Sequence, residues 1–259
     1  PQKDNVVNEE LSVDVLPGMQ KIKINRKVQE TGAMKLNDQY KLLDMRLIHS
    51  EMQKSMNSKE DLTKALNGLN KLYKERHYAC FDQDLVIQDE YYTELIKSQY
   101  ELTPEQVSDK AILKTGLVNP DKSLVFFSSF VLPSFIQKAG SNYLINVGKL
   151  IGNIAPVKTE DRTRTVDVYM PSARELNYKI NLNIPKGYKV KGIDQLGKSV
   201  TNDCGSFTST ASVSGNVLTL LVSRTYAHNF EKAAQWPKLV NLLDTAFDFT
   251  NQKVLLEKL

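Results

Sequence analysis

The sequence predicts an α+β protein: a predominantly antiparallel β-sandwich with an N-terminal β-hairpin, a two-helix insertion and a C-terminal helix. Three observations support this fold class. Apolar and polar residues alternate over residues 176–184, which is typical of a strand with one buried face. Short β-branched and aromatic runs recur after Gly116, separated by Gly, Pro, Asn and Asp. Over residues 36–73 the apolar spacing is helical instead.

The N-terminal part predicts a hairpin followed by two helices. Alternation over residues 11–15 and 22–28, with the turn dipeptide Pro17-Gly18 between them, indicates two paired strands. Apolar residues at helical spacing over 36–56 predict a first helix, and a second apolar stripe predicts another over 58–73.

The segment 89–116 is ambiguous. Its first half suits a helix or a strand, and that choice stays open. In the second half, Thr103 could cap a helix and Pro104 could occupy its first position. We therefore expect a short helix after Pro104.

The remaining segments alternate in the β pattern until the last helix. A helix is predicted to start at Pro237, and residues 254–256 predict a final strand. We divide the chain into a hairpin and helical segment, 1–79, which could pack in the same unit, and a β-rich domain, 80–259. The predicted strands after Gly116 are 125–127, 143–147, 164–170, 176–184, 188–193, 207–213 and 217–222.

Two substitutions test where the core lies. Leu66 belongs to the apolar stripe of the second helix, and Ile180 belongs to the best strand. We expect Leu66→Asp and Ile180→Asp each to unfold the protein, because each buries a charge among apolar side chains.

Composition excludes several classes of protein. The chain of 259 residues is 41% hydrophobic and 25% charged, with a formal net charge of +4. These are ordinary globular values, and the small charge gives no basic stripe for a nucleic-acid partner. No apolar run approaches the roughly 20 residues that span a bilayer.

The two cysteines, Cys80 and Cys204, are candidates for a nucleophile or for a disulfide. A cysteine nucleophile needs a base within hydrogen-bond reach. His77 precedes Cys80 near the expected end of a helix, and His228 follows Cys204 at a distance. A trio of Cys204, His228 and Asp203 has no local signature. We expect two free, mostly buried thiols, with a disulfide as the alternative, and no catalytic residue.

No residues indicate a metal or a cofactor. Zinc-type Cys or His pairs and phosphate-binding glycine loops are absent from the sequence. Residues 82–84, Asp-Gln-Asp, lack the Gly and terminal Glu of a calcium loop and suggest a solvated loop. Among the aromatic residues considered for glycan binding, Tyr178 is expected in the core, Trp236 beside a helix start, and Tyr169 on the surface.

One motif and the order of several others resemble a known family. Residues 184–190, Ile-Pro-Lys-Gly-Tyr-Lys-Val, form a strand–turn–strand motif in which Pro and Gly suit the turn. The sequence is similar to the C-terminal, non-catalytic region of unknown function in secreted bacterial transglutaminase-like proteins. The resemblance covers most of the chain and also uses Thr31-Gly32 and residues 162–170, 202–207 and 253–258.

This resemblance implies a function without chemistry of its own. In that family the catalytic Cys, His and Asp lie in a papain-like core that precedes this region, and neither Cys80 nor Cys204 matches the nucleophile. We therefore expect an excised accessory module of a larger exported protein, periplasmic or at the cell surface. Its expected partner is the upstream core of the same protein. The alternative is a stand-alone binding protein for a cell-surface protein or glycan.

Overall fold

The computed structural model describes residues 4–55, 71–118 and 121–259, without several side chains between 73 and 81. It contains an eight-stranded sheet, a four-stranded sheet and a two-stranded ribbon. Most strand pairs are antiparallel, which confirms the β-rich α+β prediction. The face-to-face sandwich arrangement stays a prediction.

The N-terminal hairpin forms as predicted. Strand β1 (Val6–Val15) pairs with β2 (Lys21–Glu30) in antiparallel register. Gly18 adopts a φ of +89° in the connecting turn, a left-handed conformation that glycine accepts at little cost. On both strands, alternate residues are buried against the core.

Three helices follow in the described residues, where two were predicted. They are α1 (Leu36–Leu42), α2 (Met45–Ser55) and α3 (Lys71–Tyr100). The single helix predicted over 36–56 is interrupted because Leu43 adopts extended backbone. Asp44 Oδ1 then accepts a hydrogen bond from the Leu47 amide at 2.8 Å, which caps the start of α2.

Part of the predicted second helix cannot be compared with the structure. Residues 56–70 lie outside the described part of the chain, and Leu66 is among them. In the described part of the chain, helix α3 spans the 30 residues Lys71–Tyr100. Cys80, His77 and residues 82–84 therefore lie within a helix, so the expected helix end at His77 and the expected loop at 82–84 are both wrong.

The ambiguous segment divides differently from the prediction. Helix α3 includes residues 89–100, and the second half is strand β3 (Gln106–Thr115). The predicted short helix after Pro104 is wrong. Strand β3 pairs with β4 (Leu124–Pro133), and the ladder begins where the Glu105 amide donates to Val131 O at 3.0 Å. This tertiary pairing outweighs the local capping signal.

The remaining predicted strands and the last helix are present, with one main exception. The strand predicted over 164–170 is reduced to two residues; Val168 is buried, but Val166, expected on the same apolar face, is 62% exposed. The elements are β5 (Ile136–Ala139), β6 (Asn142–Ile145), β7 (Val168–Tyr169), β8 (Arg174–Asn183), β9 (Tyr188–Lys191), β10 (Lys198–Asn202), β11 (Gly205–Ser214), β12 (Val217–Tyr226), β13 (Phe230–Glu231), α4 (Trp236–Thr250) and β14 (Val254–Lys258).

The large sheet joins two four-stranded halves. Its order is β10-β11-β12-β8-β1-β2-β4-β3, and the four-stranded sheet has the order β5-β6-β14-β9. The halves meet where β8 lies parallel to β1, with Ile180 opposite Leu11. The other described pairings within this sheet are antiparallel.

One face of the large sheet holds the main core. Helix α3 covers one end of this inner face, where Tyr92 packs edge-on against Phe126 with ring centroids 6.1 Å apart. Helix α4 covers the other end, where Phe249 lies 5.5 Å from Phe207. A single apolar cluster includes residues of both sheets and both helices, and Ile180 within it is fully buried.

The predicted boundary between residues 79 and 80 lies inside α3. Strands from both sides of that boundary share the large sheet, since β1 and β2 precede it and β8 follows it. The division of the chain into 1–79 and 80–259 stays a prediction.

Candidate binding groove on the outer sheet face

On β1, β2, β8, β11 and β12 the outer face of the large sheet is mostly polar and exposes a groove. The alternation that buries Tyr178 and Ile180 turns Asn177 and Lys179 to the opposite side. A groove of about 530 Å³ crosses five strands on this face. The outward-facing residues that line it are Asn8, Glu10, Gln29, Asn177, Lys179, Thr208, Thr210, Leu221 and Ser223.

Hydrogen bonds between side chains order this face at the parallel junction of β1 and β8. Asn177 Nδ2 donates to Asn8 Oδ1 at 3.0 Å and to Glu175 Oε1 at 2.8 Å. Further along the same pair, Asn183 Nδ2 donates to Asp14 Oδ1 at 2.7 Å. Because these amides are already held in place, less rotamer freedom is lost when a ligand binds.

The groove is nearly balanced in charge and has one apolar contact point. Glu10 lies 4.0 Å from Lys27 across the hairpin, and both side chains are exposed. Lys179 contributes one further cation, and Leu221 is 50% exposed. Such a surface offers amide and hydroxyl donors and acceptors without attracting strongly acidic or basic ligands.

Directly beneath the groove, charged side chains lie in the core. Arg26 Nε lies 2.7 Å from Glu9 Oε2, and both side chains are less than a tenth exposed. Gln99 of α3 donates to the same carboxylate at 3.1 Å. Burial alone would lower the pKa of Arg26, but the attraction and hydrogen bond of Glu9 raise it above its ordinary value. This pair connects β1, β2 and α3.

A second buried acidic group lies at the end of β2. Burial, and then the nearby Asp38 carboxylate, raise the pKa of Glu30 to about 9. Asp38 accepts a hydrogen bond from the Tyr91 hydroxyl at 2.8 Å. Glu30 Oε2 is buried with no hydrogen-bond partner in the described structure. Burial and the Asp38 charge both disfavour the ionised form of Glu30, and a proton on Glu30 would also allow it to donate to Asp38, which adds to the rise in pKa.

The structure brings Cys204 and His228 close to one carboxylate that the sequence analysis overlooked. His228 Nδ1 lies 2.9 Å from Glu231 Oε1, and Glu231 is buried. Burial and Glu231 raise the pKa of the Cys204 thiol. Asp203 instead pairs with Lys238 at 2.5 Å. A buried thiol with a raised pKa is a poor nucleophile, because the thiolate is the reactive form.

For one of the two cysteines, the structure also decides between a free thiol and a disulfide. Cys204 is free and buried, and its Sγ lies 3.8 Å from the Gln235 carbonyl oxygen. The side chains of Cys80 and His77 lie outside the described structure. The prediction of a free thiol is therefore confirmed for Cys204.

The three aromatic residues considered for glycan binding are buried or exposed as expected. Tyr178 is 8% exposed and faces the core, and burial raises its pKa to about 12. Trp236 is also buried, and its Nε1 donates to the Asp161 carbonyl at 2.8 Å. Tyr169 is 73% exposed, directly opposite Phe230 on the β7–β13 ribbon. Of the three residues, Tyr178 belongs to the described lining of the groove, whereas Trp236 and Tyr169 do not.

Within 4–55, 71–118 and 121–259, no group of three or more His, Cys, Asp or Glu side chains is placed to hold a metal ion. No helix in that same part of the chain combines the length and apolar character needed to cross a membrane.

The fold and the groove define a β-rich α+β protein with a polar sheet surface. Residues 142–256 match the model of a family described as Domain of Unknown Function with solved-structure structure (DUF3858). The matched segment covers less than half of the chain and contains a domain of this type. No curated protein matches the chain.

The matched segment corresponds to a definite part of the fold. It begins in β6 and ends in β14, and these strands pair, with Leu256 opposite Tyr143. Within the large sheet it supplies β8 and β10–β12, whereas β1–β4 come from the residues before it. The groove is lined by residues from both parts, because Asn8 and Gln29 precede the match.

Proposed function

We propose that this chain is a non-catalytic accessory module of a larger exported transglutaminase-like protein, periplasmic or at the cell surface. The outer-face groove would contact the catalytic core of the same protein. The observation that carries the proposal is the ordered polar groove across five strands of the large sheet. The order of motifs along the chain, which resembles the C-terminal region of such proteins, identifies the expected partner.

The chemistry of the groove suits a folded polypeptide surface. Asn, Gln, Thr and Ser side chains can pair with the backbone and amide groups of a partner. Leu221 of β12 offers an exposed apolar contact within this polar surface. A largely polar surface with an apolar contact has the mixed composition of a non-obligate protein interface.

The absence of an activated nucleophile from the groove supports a non-catalytic role. The described lining contains neither a cysteine nor a histidine. Cys204 lies in the core, with its thiol held in the protonated form by burial and Glu231.

A stand-alone glycan-binding protein is the second candidate. The amide and hydroxyl groups of the groove favour it, because such groups also bind sugar hydroxyls. Glycan arrays at low and high ionic strength would test it. Specific hits that Thr210→Arg abolishes would favour this candidate over the accessory module.

The accessory role can be tested with the core expressed separately. We expect the core to bind the chain, and Thr210→Arg and Ser223→Arg to weaken this binding, because each arginine fills the groove. Gln137→Arg, on exposed strand β5 of the other sheet, is the matched control. Equal binding by all three variants would contradict the proposed surface.

Catalysis by the isolated chain is tested directly by peptidase and amide-transfer assays. We expect no turnover. Thiol-dependent turnover that Cys204→Ala or Cys80→Ala abolishes would overturn the non-catalytic role.

A further inference from the structure

The motif over residues 184–190 builds a second groove, whose lining shares no residue with the groove on the outer sheet face. Its turn connects β8 to β9, and Gly187 there has a φ of +87°. The Tyr188 amide closes the turn by donating to Pro185 O at 3.1 Å. The Leu259 amide donates to Gly187 O at 2.9 Å, which extends the β9–β14 ladder to the end of the chain.

Strand β9 is an edge of the four-stranded sheet, so one side of its backbone is unpaired within that sheet. Antiparallel ladders alternate between hydrogen-bonded and non-hydrogen-bonded pairs. The bond from Leu259 to Gly187 sets this alternation. In the resulting register Val190, opposite Leu256, directs its amide and carbonyl away from β14. An edge strand with such groups is a template for another strand.

The other wall of the groove is the turn between β11 and β12. The Ile184 amide donates to Asn216 O at 2.7 Å, which holds this turn against the end of β8. Between the turn and the β9 edge lies a space of about 610 Å³. Apolar side chains of Ile184, Ile193 and Val213 contribute to its lining.

The rim of this groove is basic. Lys186 and Lys189 line it, both exposed, and the described lining contains no carboxylate. Glu257, on β14, lies 2.8 Å from both Lys189 and Lys191. The pKa of Glu257 is lowered by hydrogen bonds from these two lysines. One carboxylate thus faces two lysines, and Lys186 adds a third positive charge at the turn.

We propose that this groove binds an extended peptide segment in which acidic and apolar residues alternate, added to β9 as a fifth strand. The free edge would pair with the peptide backbone, the apolar lining would accept alternate side chains, and the lysines would attract the acidic ones. This site uses neither the outer-face groove nor its partner. Each proposal can therefore fail without the other.

The test uses the full chain and fluorescein-labelled heptapeptides followed by fluorescence anisotropy. The probe alternates Glu and Val, and a matched peptide alternates Lys and Val. We expect saturable binding of the Glu–Val peptide and at least about tenfold weaker binding of the Lys–Val peptide, a difference equal to about 1.4 kcal/mol.

Two variants locate the site. Lys186→Glu should weaken the Glu–Val peptide by about tenfold, whereas Lys138→Glu, on the opposite edge strand β5, should leave binding unchanged. Both lysines are exposed, so neither substitution should affect folding. Equal weakening by the two variants would show general electrostatic attraction and would overturn the site.

Backbone pairing distinguishes strand addition from attraction between side chains. Two further Glu–Val peptides carry N-methyl groups on alternate amides, one on the odd and one on the even positions. Strand addition predicts that one of the two binds and the other does not, because only alternate amides face β9. Amide hydrogen exchange at Val190 should also slow when the probe is bound. Equal binding of both methylated peptides, no slowing at Val190, or no binding of the probe would overturn the proposal.

Discussion

Replacing Glu30 by Gln should stabilise the protein increasingly as the pH rises. Glu30 is 7% exposed beside Asp38, and its pKa is raised to about 9 from an ordinary value near 4.5. Between those two values the folded protein holds a proton on Glu30 that the unfolded chain has lost. Stability from this group therefore falls as the pH rises through that window. A glutamine side chain at this position would be neutral at every pH and could donate to Asp38.

The magnitude follows from proton linkage. One proton bound in the folded state and absent from the unfolded state changes the free energy of unfolding by about 1.4 kcal/mol per pH unit. Between pH 6 and pH 8 the advantage of Glu30→Gln over the natural protein should therefore grow by about 3 kcal/mol.

Urea denaturation followed by circular dichroism at pH 6, 7 and 8 measures this difference. Glu10→Gln is the control, because Glu10 is exposed on the adjacent strand and should show no such pH dependence. If the advantage of Glu30→Gln is the same at all three pH values, Glu30 is ionised in the folded protein at neutral pH. The assignment of a proton to Glu30 in the folded protein would then be wrong.

Three further predictions concern the core. Ile180→Asp should lower the free energy of unfolding by several kcal/mol and unfold the protein. Lys179→Asp, on the exposed side of the same strand, should melt within a few degrees of the natural protein. Thermal denaturation compares the two variants. Arg26→Met should lower the free energy of unfolding by about 3–5 kcal/mol, because Glu9 would stay buried without a positive charge beside it. Adding Glu9→Leu should recover part of that loss in urea denaturation. In a Cys80→Ala background, Cys204 should react with iodoacetamide far more slowly in the folded protein than in urea; equal rates would show that the thiol is accessible.

The local elements were predictable where sequence alternation is strong. Residues 11–15 and 22–28 alternate around Pro17-Gly18, and the hairpin formed as predicted. The segment after Pro104 failed because its capping signal is local, while β3 is stabilised by pairing with β4. Periodicity reports which face of a segment is buried, but it does not report which other segment will pair with it.

The candidate groove was predictable only in part. Alternation over 176–184 already assigned Asn177 and Lys179 to the polar side of their strand. Their neighbour across the sheet, Asn8, lies 169 positions away in the sequence. No local pattern indicates that β1 and β8 lie side by side, so the groove could not be assembled from the sequence.

The buried charged residues are indicated only weakly by the sequence. Glu9 and Arg26 occupy inward positions of alternating strands, where apolar residues are expected. Charged residues at such positions are rarely buried unless they are paired. The ion pair between Glu9 and Arg26 was therefore predictable from the register of the hairpin. The interaction of Glu30 with Asp38 was not, because it depends on how α1 packs against the end of β2.

The central claim is that the outer face of the large sheet contacts a partner core. Thiol labelling of Leu221→Cys, in a background without Cys80 and Cys204, measures this most directly. Labelling rates are compared between the chain alone and the parent polypeptide that includes the core, with Lys138→Cys as the control. We predict that labelling at position 221 slows at least about tenfold, the ratio that 1.4 kcal/mol of protection gives, while position 138 is unaffected. Equal labelling at position 221 in both contexts would contradict the claim.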